Sequence, residues 1–287
     1  MKINLIKIRT WAMGLSLITA ATIVGCKSST EPVDSQYTDS QAAAEVTAAG
    51  IGDASGGSLA TVDDAFTLGT GGTVQGTDAL GKSTTQSRTE SYDSTTHLHT
   101  LIFTRNPNWG GGFSYNGQWT YTYEFFDASG NPMKSYVKGT TDKLVINEKG
   151  GHIVYSPRVH VTDSSNGNWT LTALTTTTPI LNGTYNQAGS DSIMQGVNAG
   201  RAMSHTFQIN HTNDQVYRDF ASPHFVYLVG TGNSTFSATS LKGVNFTRTT
   251  QITFNNDGTA TLAVTRTSGI GTVDTFTIDV KQGKWLR

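Results

Sequence analysis

The chain has 287 residues, 36% of them hydrophobic and 14% charged, with 31 Gly, 6 Pro and a single Cys; this allows a core of ordinary size and excludes a disulfide scaffold, a collagen-like chain and charge-driven disorder. A formal charge of −1 supplies no basic surface to neutralise a phosphate backbone, which excludes nucleic acid as an expected partner. Thr, Ser, Asn and Gly take the polar positions that charged residues fill in most globular domains, a composition that suits an all-β chain working outside the cytoplasm.

In chain order, Lys2, Lys7 and Arg9 precede a stretch from Trp11 to Gly25 that is apolar or small throughout. A basic segment followed by a short apolar one has the form of a signal peptide, and the run falls short of the ~20 residues of a membrane-spanning helix. The run ends Ile23-Val24-Gly25-Cys26, which resembles the lipobox of bacterial lipoproteins. That resemblance implies cleavage after residue 25, acylation of the Cys26 sulfur, and attachment to the membrane of the cell envelope through the lipid. Lys27 is not the Asp that retains some enteric lipoproteins at the inner membrane, so the outer membrane is the expected address. Cys26 is the only Cys, so it has no partner thiol in the fold.

Residues 26–38 are Ser, Thr, Glu, Pro, Asp and Gln with little to bury, and are expected to be a flexible tether. Residues 39–69 are expected to hold two short helices. One is an Ala-rich run from Gln41 to Ala49 behind Asp39-Ser40, and the other is capped by Ser58 and carries Leu59, Val62 and Phe66 on one face. Residues 70–287 alternate β-branched and aromatic residues with Thr, Ser and Asn, broken by turn dipeptides about every ten residues. The expected fold is all-β: one antiparallel meander of about a dozen strands curled into a half-barrel, barrel or sandwich. The N-terminal helices would cover an edge or lie in the concave face. Predicted strands include His97 to Phe103, Trp119 to Phe125, Ile153 to Thr162 and Val244 to Phe254. Asn116-Gly117, Ser129-Gly130-Asn131, Asn166-Gly167, Asn182-Gly183, Gly230 to Asn233 and Asn256-Asp257-Gly258 read as hairpin turns. In three of these an N-G-x-aromatic unit recurs, at 116–119, 166–169 and 182–185.

Side chains at i and i+2 of a strand share a face about 7 Å apart, so His97 and His99 form a candidate metal pair, with a third ligand from His152, His160, His205, His211 or His224. An exposed strand face explains the pair more simply. Asp127 to Pro132 resembles the opening of a calcium loop, but Lys138 stands where its bidentate Glu would be, and a Gly-Asn-Pro hairpin accounts for the residues. There is no G-x-S-x-G and no second nucleophile signature. Glu90, Glu124 and Glu148 are the Glu residues of the β region; Asp63, Asp64 and Asp191 read as helix-start and turn residues. No cofactor and no catalytic residue is expected.

The aromatic row Trp119, Tyr121, Tyr123 and Phe125, with Trp109 just before it, is the most distinctive feature. If it faces a closed core it is packing; on an open concave sheet it would suit a lipid acyl chain or sugar rings. The β region resembles, in style, uncharacterised Thr- and Gly-rich envelope lipoproteins of Gram-negative bacteria, a resemblance that carries no catalytic residue over. The expected protein is therefore a lipid-anchored envelope module without enzymatic activity, binding or structural in role, with a lipid or an envelope protein as partner. The alternatives are an acyl-chain carrier or chaperone on a concave sheet, as in lipoprotein-localisation proteins, and a metal-dependent enzyme using His97 and His99.

Overall fold

The computed structural model describes residues 33–74, 87–106, 108–110, 113–157, 159–194, 202–218, 226–240, 245–266 and 273–286. The chain divides into two units, Met1–Gln36 and Tyr37–Arg287; of the first, only the opening residues of a helix are described. Two helices, α1 (Val33–Ile51) and α2 (Ser58–Gly69), precede the strands. The strands are β1 (Arg88–Asp93), β2 (Leu98–Arg105), β3 (Asn108–Gly110), β4 (Phe113–Asp127), β5 (Pro132–Met133), β6 (Thr141–Tyr155) and β7 (Val159–Thr172). They continue with β8 (Ile180–Ile193), β9 (Ala202–Arg218), β10 (Val226–Ser240), β11 (Asn245–Phe254), β12 (Thr259–Arg266), β13 (Val273–Asp279) and β14 (Lys284–Leu286). All belong to one antiparallel sheet in the order of the chain, with the short β3 and β5 both paired to β4. β1 and β14 end that order without pairing to each other, so the sheet is open. Among the described residues no helix is long and apolar enough to cross a membrane.

Alternation along the strands gives the sheet one buried and one exposed face. The buried face runs through Leu101 and Phe103 of β2, Leu144 and Ile146 of β6, Trp169 and Leu171 of β7, Ile252 of β11, Leu262 of β12 and Ile278 of β13. The helices are what bury it. Asp64 of α2 meets Arg105 of β2 and Tyr121 of β4, Thr67 and Phe66 meet Arg218 of β9, and the backbone N–H groups of Asp53 and Ala54 donate to Val280 and Lys281 beyond β13. A helix pair that reaches both β2 and the far end of the sheet requires the sheet to curl around it. Ala42, Ala43, Ala44, Val46, Ala48 and Ala49 of α1 are buried all round the helix, and small side chains let it fit inside such a curl. This is the half-barrel form of the all-β fold read from the sequence, with the helices in its concave face.

Several local expectations are corrected. α1 begins at Val33, so residues 33–38 are helical rather than part of a tether; residues 26–32 lie outside the described residues. Gly57, not Ser58, is the N-cap of α2, and no side chain caps that end. Ser58 is the first helical residue and is fully buried. The run from Ile153 to Thr162 is two strands, because β6 ends at Tyr155 and β7 starts at Val159. Ser156 closes that turn, its Oγ donating to Val159 O at 2.9 Å.

The Asn-Gly pairs lie inside strands and not in turns. Asn116-Gly117, Asn166-Gly167 and Asn182-Gly183 lie within β4, β7 and β8, and Gly230 to Asn233 lie within β10 at a bulge between Val229 and Gly232. In the N-G-x-aromatic unit the Gly and the aromatic share a face. A Cβ on Gly117 would lie 2.3 Å from the Trp119 ring, and one on the cross-strand Gly150 would lie 2.4 Å from it. Gly167 makes the same room for Trp169, whereas a Cβ on Gly183 would meet the Asn168 carbonyl oxygen at 2.0 Å before the Trp169 ring at 3.0 Å. The glycines are there to let indoles lie flat on the sheet. True turns form at Ser129-Gly130-Asn131 and Asn256-Asp257-Gly258, where Gly130 and Gly258 take φ of 84° and 78°.

Candidate functional site

The aromatic row is core. Trp119, Tyr121, Tyr123 and Phe125 are 1%, 1%, 2% and 5% exposed. Trp119 stacks on Phe103 at 5.6 Å between centroids, Tyr121 donates to Asp64 Oδ2 at 2.7 Å, and Tyr123 donates to Glu90 Oε1 at 2.5 Å. Burial and the neighbouring carboxylate push the Tyr121 hydroxyl well above the usual phenol range, and the same two causes raise Tyr123. Trp109 lies in β3, and its side chain is outside the described residues.

The inner face carries a polar zone that the sequence reading missed. Glu148 is 1% exposed. Ser165 of the neighbouring strand donates to its Oε1 at 2.7 Å. A Cβ on Gly150 would lie 2.8 Å from Trp119 Nε1 and 2.9 Å from Glu148 Oε1. One on Gly167 would lie 2.7 Å from Trp169 Nε1 and 3.1 Å from Glu148 Oε2. Each carboxylate oxygen thus shares the space over one glycine with an indole Nε1, and no hydrogen bond joins Glu148 Oε2 to Trp169 Nε1. Burial raises the Glu148 carboxyl to about 7, against the opposing pull of Ser165 and His152. The group is a neutral or half-ionised acid near physiological pH, enclosed by side chains that are themselves buried.

Three buried Asp–His pairs share this face. His152 Nδ1 lies 2.8 Å from Asp163, whose other oxygen accepts from Gln187 Nε2. His205 Nδ1 lies 2.5 Å from Asp191, and His211 Nδ1 lies 2.6 Å from Asp214. Asp191 is therefore a buried strand residue of β8 and not a turn residue, and its carboxyl is raised by burial. Asp63 and Asp64 lie within α2, both raised by burial, Asp63 further by Asp53 and Asp64. Parity along the strand could have found these groups. Leu144, Ile146, Glu148, His152 and Val154 share one parity of β6, and Val161, Asp163, Ser165, Trp169 and Leu171 share one of β7.

The His97 and His99 pair does not form as a strand pair. His97 precedes β2 with φ of 58°, so the alternation that would place both rings on one face does not reach it. It bonds the Tyr92 hydroxyl at 3.1 Å, while His99 Nε2 donates to Lys134 O at 2.9 Å and its ring stacks on Tyr123. Glu90 lies 3.9 Å from His99 Nδ1, a carboxylate that the sequence reading did not place there. Of the proposed third ligands, His152, His205 and His211 are held by Asp, His160 packs on Tyr155, and His224 is outside the described residues. Among the described residues no three such side chains converge. Asp127 accepts from the backbone N–H groups of Ser129 and Asn131 and from Asn131 Nδ2, which makes it a hairpin turn.

On the exposed face two shallow grooves, of about 470 and 410 Å³, adjoin at Asn166. The first is bordered by Asn186, Gln208 and Thr235 and the second by Asn147, Lys149 and Asn168. No family model, no curated protein and no solved structure matches the chain.

Proposed function

We propose that this protein is a lipid-anchored module of the bacterial cell envelope, held by an acylated Cys26, that works by binding through the outer face of its sheet and catalyses nothing. The observation that carries this reading is the filling of the concave face by the chain's own helices. Tyr121 and Arg105 are tied to Asp64 of α2, and the aromatic row that would line a ligand cavity is packed core. Glu148 and the Asp–His pairs, the groups whose chemistry suits acid–base work, lie on that filled face. What remains for a partner is the exposed side. The carrier alternative requires α1 and α2 to leave the sheet, separating buried Asp64 from Arg105.

Growth of the producing bacterium with an alkyne-tagged palmitate tests the anchor. The protein should take up the label and partition with membranes, and Cys26→Ser should abolish both. Unlabelled native protein would overturn the anchor. Native mass spectrometry of the detergent-extracted protein tests the carrier alternative, which predicts a co-purifying lipid mass that the binding-module reading does not.

A further inference from the structure

We infer that the outer face of β6–β11 binds a neutral, polyhydroxylated polymer, a polysaccharide chain lying across the strands. The inference rests on the reading that the outer face meets the partner, and it names the partner's chemistry. Cross-strand register lines Asn147, Asn168, Thr184, Asn210, Asn233 and Gln251 into one row. One step along the strands, Lys149, Asn166, Asn186, Gln208, Thr235 and Thr249 form the next. Twelve positions on six strands thus carry one charge. That is below the 14% charged residues of the whole chain, itself low beside the roughly 25% of typical soluble domains.

Charge complementarity selects the partner. A polyanion finds only Lys149 in these rows, on a chain of net charge −1; a polycation finds no carboxylate in them; an apolar partner finds amides and hydroxyls. A sugar hydroxyl both donates and accepts, as do the side chains of Asn, Gln and Thr. Four of the amides are already held in two pairs: Asn168 Nδ2 donates to Asn147 Oδ1 at 2.9 Å, and Asn186 Nδ2 donates to Asn166 Oδ1 at 3.2 Å. Fixed amides, and short side chains with little rotamer freedom to lose, lower the cost of ordering on binding. The two grooves meeting at Asn166 run from β6 to β10. With strands about 4.8 Å apart, that trough is about 19 Å long and admits several linked sugar rings.

The test passes the full-length protein, in mild detergent, over cellulose, chitin and amylose, with heparin and phenyl resins as controls. Retention is expected on at least one neutral polymer, reversed by soluble fragments of that polymer and preserved at about 0.5 M salt, where exposed charges are screened. Asn166→Asp with Asn186→Asp should lower retention about tenfold or more, while Thr140→Asp, in a loop away from the trough, should not. The near-UV dichroism of the buried tryptophans checks the fold, and Gln208→Ala with Thr235→Ala tests the same trough if the charged pair unfolds. Absence of retention on all three neutral polymers, preference for heparin or phenyl, or full retention by folded trough variants would overturn the inference. Retention does not depend on acylation, so a failed palmitate experiment and a failed retention experiment are read separately.

Discussion

Glu148 shows how one residue couples the interior to pH. Its carboxyl is raised from 4.5 to about 7 by burial, so between those values the folded chain holds a proton that the unfolded chain has released. Stability from this group is therefore complete below about pH 4.5, falls as pH rises to about 7, and then stays level. A shift of this size corresponds to about 3 kcal/mol. The protein should unfold at lower denaturant at pH 8 than at pH 5, and Glu148→Gln should reduce that slope in urea titrations across the range. Some slope should survive, because Asp63, Asp64 and Asp191 are raised by burial in the same sense. An unchanged slope in the variant would show that Glu148 is not the acid responsible.

The helices are held by a few buried contacts as much as by area. Arg105 is 8% exposed and pairs with Asp64, which also accepts from Tyr121. Removing the guanidinium leaves Asp64 buried beside Tyr121 without its cation, a loss of about 3–5 kcal/mol. Arg105→Ala should therefore destabilise strongly in chemical denaturation, whereas Arg105→Met with Asp64→Leu should recover much of the loss, since apolar pairs of similar volume often replace a buried ion pair well. Equal destabilisation by the single and the paired change would mean that the ion pair is not what docks α2. The sequence displayed α2 to within one residue at its start, because Leu59, Val62 and Phe66 recur at helical spacing before Gly69. It did not display Asp64 as buried, because an amphipathic reading assumes a solvent face that this helix lacks.

At the scale of the molecule, sheet and helices bury the same surface. Trp119 packs inside that shared core, and α1 and α2 close it. Loss of the near-UV signal of the tryptophans and loss of the far-UV helical signal should therefore coincide in one thermal transition. Two separated transitions would mean that the helices can leave while the sheet stands, which is what the carrier alternative needs.

The all-β class, the chain-order meander and most strand positions were legible from period-two alternation and turn spacing, because these are local properties of a strand. So were the helices and the Ser129 to Asn131 and Asn256 to Gly258 turns. The side of the sheet on which each polar residue falls was partly legible: Glu148 and Asp163 share a parity with apolar neighbours, and the Asn rows share the opposite one. Three things were decided only in three dimensions. An Asn-Gly dipeptide is a turn or a seat for an indole according to what packs over it, and Trp119 and Trp169 lie over these glycines. His97 lost its strand partner geometry because the turn before β2 claimed it. The aromatic row became core instead of a binding surface because the helices, distant in sequence from most strands, filled the curl. Register and burial depend on contacts between residues far apart in the chain, and local spacing carries no record of them.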